Sequence, residues 1–166
     1  MASVATYQVL IDLPRQQAWE MMQDLTCPQK YVPGLLQCEM HGAQRQGVGT
    51  SRRVFKRFVV LDETVTAWEE GYGFTLRLHD GAKDKPLPRS YFIYAMDDAP
   101  NQQTLFTATM GYEFPLGALG ALIDRFLVLP IVQAEIRDVA LAVKYFYENK
   151  STPTKSDLKA LRQQGF

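Results

Sequence analysis

The chain has 166 residues, 46% apolar and 22% charged, a balance that suits one globular domain with its own core and leaves little room for a second. Eighteen basic residues offset eighteen acidic ones, so no overall field draws the protein to nucleic acid or an anionic membrane, although a local patch stays open. Two cysteines, Cys27 and Cys38, are too few for a disulfide scaffold or an all-cysteine zinc site and are expected to be free thiols.

The N-terminus, MASVATYQVLIDL, has no charged segment ahead of its apolar run and alternates like a strand, so it does not read as a signal peptide. A cytoplasmic location is expected. Val4 to Asp12 reads as the first strand, and Pro14 opens a helix from Arg15 to Leu25, where its missing N–H leaves no bond unmade. Ala18, Met21, Met22 and Leu25 share one face of that helix. Pro28 starts a second short helix that Pro33-Gly34 ends. Leu35 to His41 is the second strand, and Gly42 to Gly49 its turn. Further strands are expected at Thr50 to Arg57, Val59 to Glu69, Tyr72 to Leu78, Arg89 to Met96 and Thr104 to Phe114. Polar turns at Asp80 to Pro88 and Asp97 to Gln102 separate the later ones. Short turns at this spacing make antiparallel hairpins.

From Gly117 to Asn149 the period becomes helical. Pro130 should kink this long helix or divide it. The half before Pro130 carries Leu119, Leu122, Ile123 and Phe126 and is apolar on nearly every side, so it is expected to sit deepest against the sheet. The half after it has a polar side, with Arg137, Lys144 and Glu148. The apolar run Leu116 to Val132 is broken by Asp124 and Arg125 and too short to span a bilayer comfortably, so no integral membrane association is expected. Residues 1–149 form the domain. Residues 150–166 make a polar, loose tail with a short helix at Ser156 to Gln163. The class is α+β: a curved antiparallel sheet of about seven strands around one long helix, the two enclosing a largely apolar pocket.

This order resembles the START-like (SRPBCC) superfamily with the helix-grip fold, which includes polyketide cyclase/dehydrase and lipid-transport proteins. The residues that carry the resemblance are Leu13-Pro14 before a helix bearing Trp19, and Tyr31 ahead of Pro33. They continue with Gly47-Val48-Gly49 before Arg52, and with Gly111-Tyr112-Glu113-Phe114 running into Gly117-Ala118-Leu119-Gly120. The resemblance implies a ligand-binding fold; it does not choose among carriers, cyclases and hydrolases.

The residues themselves suggest where a ligand would sit. Phe74, Leu76 and Leu78 alternate on one strand, Phe92, Tyr94 and Met96 on the next, and Phe106, Ala108, Met110 and Tyr112 on the last. Facing inward with Leu122 and Phe126 of the helix, they would form a wall for a flat or greasy ligand, or fill an ordinary core. Along Thr50 to Arg57, alternation sends Arg52 and Lys56 to one face and Arg53 and Arg57 to the other. Arg52 could then meet a ligand carboxylate, or the whole cluster could be a solvated edge. Because alternation splits this cluster, it makes a poor nucleic-acid surface. Among the carboxylates Asp62, Glu63, Glu69, Glu70 and Glu113, the two inside strands, Glu63 and Glu113, would need partners if buried, such as Arg52, Arg53 or Arg77. His41 and His79 lie near hairpin ends and in no metal-binding spacing; no cofactor or metal motif is present.

Three functions are carried forward. The first is binding of a small hydrophobic or aromatic molecule at Arg52, Phe74, Leu76, Phe92, Tyr94, Met110, Tyr112, Leu122 and Phe126. The Pro33 turn and the Pro130 kink would then be sites of opening. The second is a cyclase/dehydratase-type enzyme using Tyr94, Tyr112 or Arg52. The third is an interaction module with a filled core. A homodimer is left open.

Overall fold

The computed structural model describes residues 2–81, 85–113 and 117–164. The centre of the Asp80 to Pro88 turn and the strand end at Phe114 lie outside these residues, as does the side chain of Leu119. Seven strands form one antiparallel sheet: β1 (Ala2–Ile11), β2 (Leu35–His41), β3 (Ser51–Lys56), β4 (Val60–Glu69), β5 (Gly73–Asp80), β6 (Lys85–Ala99) and β7 (Gln103–Glu113). Their order across the sheet is β1-β7-β6-β5-β4-β3-β2. Register shifts between Leu35 and Gln37, Val65 and Ala67, and Arg77 and His79 mark bulges, which bend a sheet and tighten its twist. Gly73 is indispensable here. A Cβ at that position would lie 2.1 Å from the carbonyl oxygen of Tyr94, so only glycine lets β5 begin so close to β6.

The first helix, α1 (Arg15–Met22), follows Pro14, whose carbonyl accepts the N–H groups of Gln17 and Ala18. It buries Ala18, Trp19 and Met22 and stops three residues short of Leu25, which is buried beyond it. A 3₁₀ turn at Pro28–Lys30 precedes β2.

The long helix is divided as its proline requires. A helix α2 (Gly117–Ile123) passes into a π-helical turn at Asp124–Val128 and then into α3 (Leu129–Asn149). The Leu129 N–H reaches back to the Asp124 carbonyl, five residues away. In a regular α-helix the ring of Pro130 would collide with the carbonyl of Phe126. One wider turn just ahead of the proline removes that conflict.

The front half, however, is not the deepest part. Leu122, Phe126 and Leu127 are exposed, whereas α3 buries Ile136, Val139, Ala140, Leu141, Ala142, Val143 and Tyr147 against β1 and β7. The tail carries helix α4 (Lys155–Gln163), opened by a reciprocal cap between Thr154 and Asp157. It is docked on α3 rather than loose, through buried Leu158 and the Arg162–Asp138 ion pair.

Candidate functional site

The inner face of the sheet is a continuous aromatic surface. Phe74, Leu76, Leu78, Tyr94, Met96, Phe106, Ala108 and Tyr112 are buried there, and Phe92 and Met110 pack half-buried against the same core. Cross-strand register sets the order of rings. Trp68 stacks on Phe74 at 5.6 Å, Phe74 meets Tyr94 at 5.5 Å, and Tyr94 stacks on Phe106 at 5.9 Å and on Phe92 at 6.2 Å. Each such pair contributes about 0.5–1.5 kcal/mol beyond burial. Trp19 joins the near end, 5.0 Å from Trp68. Glu70 accepts both indole N–H groups, at 2.9 and 2.8 Å, which holds its carboxyl below the usual range. Of the carboxylates considered for acid/base work, this one clamps two rings.

A charged pair sits in the same interior. Arg52 and Glu63 are register partners on β3 and β4, and both are buried. The Arg52 Nε donates to Glu63 at 2.7 Å and its Nη1 to the Leu25 carbonyl at 2.7 Å. Burial disfavours the guanidinium charge, but Glu63, helped by Tyr31 and Cys38, more than offsets it and keeps Arg52 firmly protonated. Lys56, on the same face, pairs with Glu135 of α3. On the outer face Arg53 makes two 2.8 Å bonds to Asp62, which His41 also contacts at 3.2 Å. Arg57 is exposed over Phe58. The alternation expected of Arg52, Arg53 and Lys56 is thus observed, whereas Arg57 lies past the end of β3 in the turn. Glu63 has the kind of partner it required. Half-buried Glu113 lies opposite Ala2 at the end of β7, and half-buried His79 lies on the outer face opposite Asp62.

Tyr147 of α3 is fully buried, and its hydroxyl has no hydrogen-bond partner among the described residues. Its ring lies edge-on to Tyr31 at 6.2 Å. Burial pushes the hydroxyls of Tyr147, Tyr31 and Tyr94 above the ordinary tyrosine value, with Arg52 opposing the rise at Tyr31 and Tyr94. All three therefore keep their protons at neutral pH and can donate.

Tyr112 has a different role from the wall residues. It donates at 2.6 Å to buried Asp124, whose other oxygen takes the Ser3 hydroxyl from the neighbouring strand. Burial, then this carboxylate, pushes the Tyr112 hydroxyl up. The contact explains why two expected wall residues are misplaced. Leu122 and Phe126 each lie two residues from Asp124, about 200° around a helix. Turning Asp124 toward β1 and β7 therefore turns both outward, and they are 57% and 67% exposed. The other expected site residues, Arg52, Phe74, Leu76, Phe92, Tyr94, Met110 and Tyr112, all lie on the inner face. Sequence reasoning missed Asp124, Ser3 and the unpartnered hydroxyl of Tyr147, and treated Tyr31 as a marker alone.

Clefts open at the surface. One of about 670 Å³ lies where β4, β5 and β6 meet, lined by residues 67–69, 72–75 and 93–97. Two smaller ones, about 180 and 160 Å³, flank Tyr31, one at the Pro33 turn and one beside Cys27 and Phe146. Both cysteines are free, and burial pushes the Cys38 thiol up. Among the described residues no His, Cys, Asp and Glu cluster is placed to hold a metal, and no helix is long and apolar enough to cross a membrane.

Residues 2–144 match the family described as polyketide cyclase / dehydrase and lipid transport. The chain belongs to that family. Solved structures share the fold of this chain at low identity. Ara h 8.0201 has a TM-score of 0.61 at 13% identity, covering 89% of this chain and 98% of its own. TTHA0849 from Thermus thermophilus reaches 0.65 at 16%, covering 96% and 99%. Hypothetical protein jhp0584 from Helicobacter pylori reaches 0.67 at 9%, covering 87% and 88%. No curated protein is similar enough to match. These likenesses establish a START-like helix-grip fold, and the family is one of hydrophobic-ligand folds.

Proposed function

We propose that this domain binds a small hydrophobic or aromatic molecule, lipid- or polyketide-like, that carries at least one polar group. The ligand lies between the inner face of the sheet and α3, with no metal or nucleotide, in a cytoplasmic protein. Phe74, Leu76, Phe92, Tyr94 and Met110 are its wall, Arg52 and Tyr112 its polar margins, and Tyr147 its hydrogen-bond partner.

The observation that carries this reading is the Tyr147 hydroxyl. A buried hydroxyl without a partner costs about 1–3 kcal/mol, and phenylalanine would fill the same space without that cost. A core built for stability alone has no use for the oxygen. A ligand oxygen or N–H would satisfy it, among rings that suit an aromatic or apolar body. The cyclase-type reading is supported less well, because it asks for polar groups free to polarise a substrate. Of its three candidates, Arg52 is held by Glu63 and Tyr112 by Asp124.

Native mass spectrometry of the purified chain, followed by extraction and identification of whatever it carries, tests the proposal. A stoichiometric apolar or aromatic compound bearing a polar group is expected. An empty protein that also shows no thermal shift with a panel of such compounds would make the interior a filled core and overturn the reading.

A further inference from the structure

The large apolar side chains left in solvent are concentrated at one end of the sheet. Leu36 lies at the start of β2, Phe58 and Val59 lie in the β3–β4 turn, and Leu122, Phe126, Leu127 and Ile131 run along α2, the π turn and the start of α3. Antiparallel register makes this one end. Leu35 pairs with Lys56, Phe55 with Val60, Leu61 with Asp80 and Asp80 with Lys85, while Ala2 pairs with Glu113 where β7 leaves for α2. The Lys56–Glu135 contact ties the hairpin to α3 one turn beyond Ile131. The π turn matters here too. Phe126 and Ile131 are five residues apart, and the wider turn keeps them on the same side as Leu122.

Phe58 stands 85% exposed at the tip of a tight turn closed by the Lys56 N–H on the Val59 carbonyl at 2.8 Å. Exposed apolar groups gathered this way mark a surface that meets something apolar. Two arginines accompany them. Arg57 lies 4.9 Å from the centre of the Phe58 ring and Arg125 5.7 Å from that of Phe126. Neither has an acidic partner among the described residues. Two acids of the long helix are engaged: Asp124 turns inward to Tyr112 and Ser3, and Glu135 holds Lys56.

We infer that this end of the sheet docks on the surface of an anionic lipid bilayer. Phe58, Phe126, Leu127 and Ile131 enter the boundary between headgroups and acyl chains, and Arg57 and Arg125 take lipid phosphates. This is how amphipathic surfaces with aromatic and arginine side chains settle at an interface. A second copy of the chain fits less well. Across a two-fold axis it would present the same arginines to these, where a phosphate surface offers the opposite charge. The whole chain is neutral, so the attraction is local and short-ranged. The inference does not rest on the interior site; an empty protein would dock as well.

Co-sedimentation of the full chain with vesicles tests it, using phosphatidylcholine alone and phosphatidylcholine mixed with phosphatidylserine, at low and high salt. The protein is expected on the anionic vesicles, with binding weakened by salt. A Phe58→Ser, Phe126→Ser variant and an Arg57→Gln, Arg125→Gln variant should each bind about tenfold less. Leu10→Ser, an exposed apolar change on β1 away from this end, should bind as the unaltered chain does. All the altered side chains are exposed, and unchanged unfolding transitions would show the variants folded. Absence from both kinds of vesicle overturns the inference, as does binding indifferent to phosphatidylserine and salt. Self-association abolished by the phenylalanine changes would assign the surface to a second copy and also overturn it.

Discussion

Ile131 and Ile136 are five residues apart on α3, yet the first is 68% exposed and the second 1%. The same contrast runs through β3, where neighbouring Arg52 and Arg53 form ion pairs on opposite faces, one buried with Glu63 and the other half-exposed with Asp62. In the helix the difference is not apolar content, because the front half is the more apolar of the two. It lies in what each half rests on. From Ile136 onward the rear half covers β1 and β7, a surface that Ile131 at its start does not reach. The front half is turned by one buried carboxylate, which leaves Leu122, Phe126 and Leu127 in solvent. An all-apolar stretch is therefore buried only as far as there is a surface to cover it.

The contrast can be broken at several points. The largest effect is expected on β3. Arg52→Met leaves Glu63 buried without its cation and should cost about 3–5 kcal/mol in denaturant unfolding. Arg53→Met, on the solvent side, should cost about 1 kcal/mol or less. Next come the two isoleucines. Ile136→Ala removes a packed core side chain and should cost about 2–5 kcal/mol, while Ile131→Ala should stay within about 0.5 kcal/mol.

Asp124→Ala sharpens the comparison within the helix. It leaves the Tyr112 and Ser3 hydroxyls without their acceptor, at a cost of about 1–3 kcal/mol. Hydrogen exchange should then rise through residues 117–128, with residues 136–147 still among the slowest. Uniform loss of protection along the whole helix would mean that Asp124 is not what holds the front half.

The smallest effect concerns acid. Hydrogen bonding to Arg53, assisted by His41, lowers Asp62 from its ordinary 3.8 to about 2. A folded-state pKa below the unfolded one means the pair contributes above about pH 4, and its contribution is lost as pH falls through about 2. Being partly solvated, the pair is worth about 1 kcal/mol or less. Unfolding curves of the unaltered chain and Asp62→Asn should differ above pH ~4 and converge below pH ~2.

Much of this architecture was legible in the residues. The strand alternation placed the seven strands, because each has one buried face and a turn signal near its ends. But β6 runs on from Lys85 to Ala99, into the turns expected at Asp80 to Pro88 and Asp97 to Gln102, because its backbone stays paired with β5 and β7 there. Alternation also separated Arg52 from Arg53 and asked for a partner for Glu63. Pro130 announced a break in the helix, although not that the break is a π turn. The fate of the front half was hidden because Asp124 read only as an interruption of an apolar run. Its role depends on Tyr112 and Ser3, which are far from each other in the chain and adjacent only through the β1–β7 register. Tyr147 fell on the right helix face, but a missing hydrogen-bond partner is a property of packing that no spacing encodes.

The central claim is that the Tyr147 hydroxyl is kept for a ligand. Titration of the unaltered chain and of Tyr147→Phe with naphthol and with naphthalene, which differ by one hydroxyl, tests it most directly. In Tyr147→Phe, naphthol should bind about tenfold more weakly, naphthalene should bind unchanged, and the ligand-free protein should be at least as stable as before. Equal affinities of both proteins for naphthol, or equal losses for the two probes, would contradict the account.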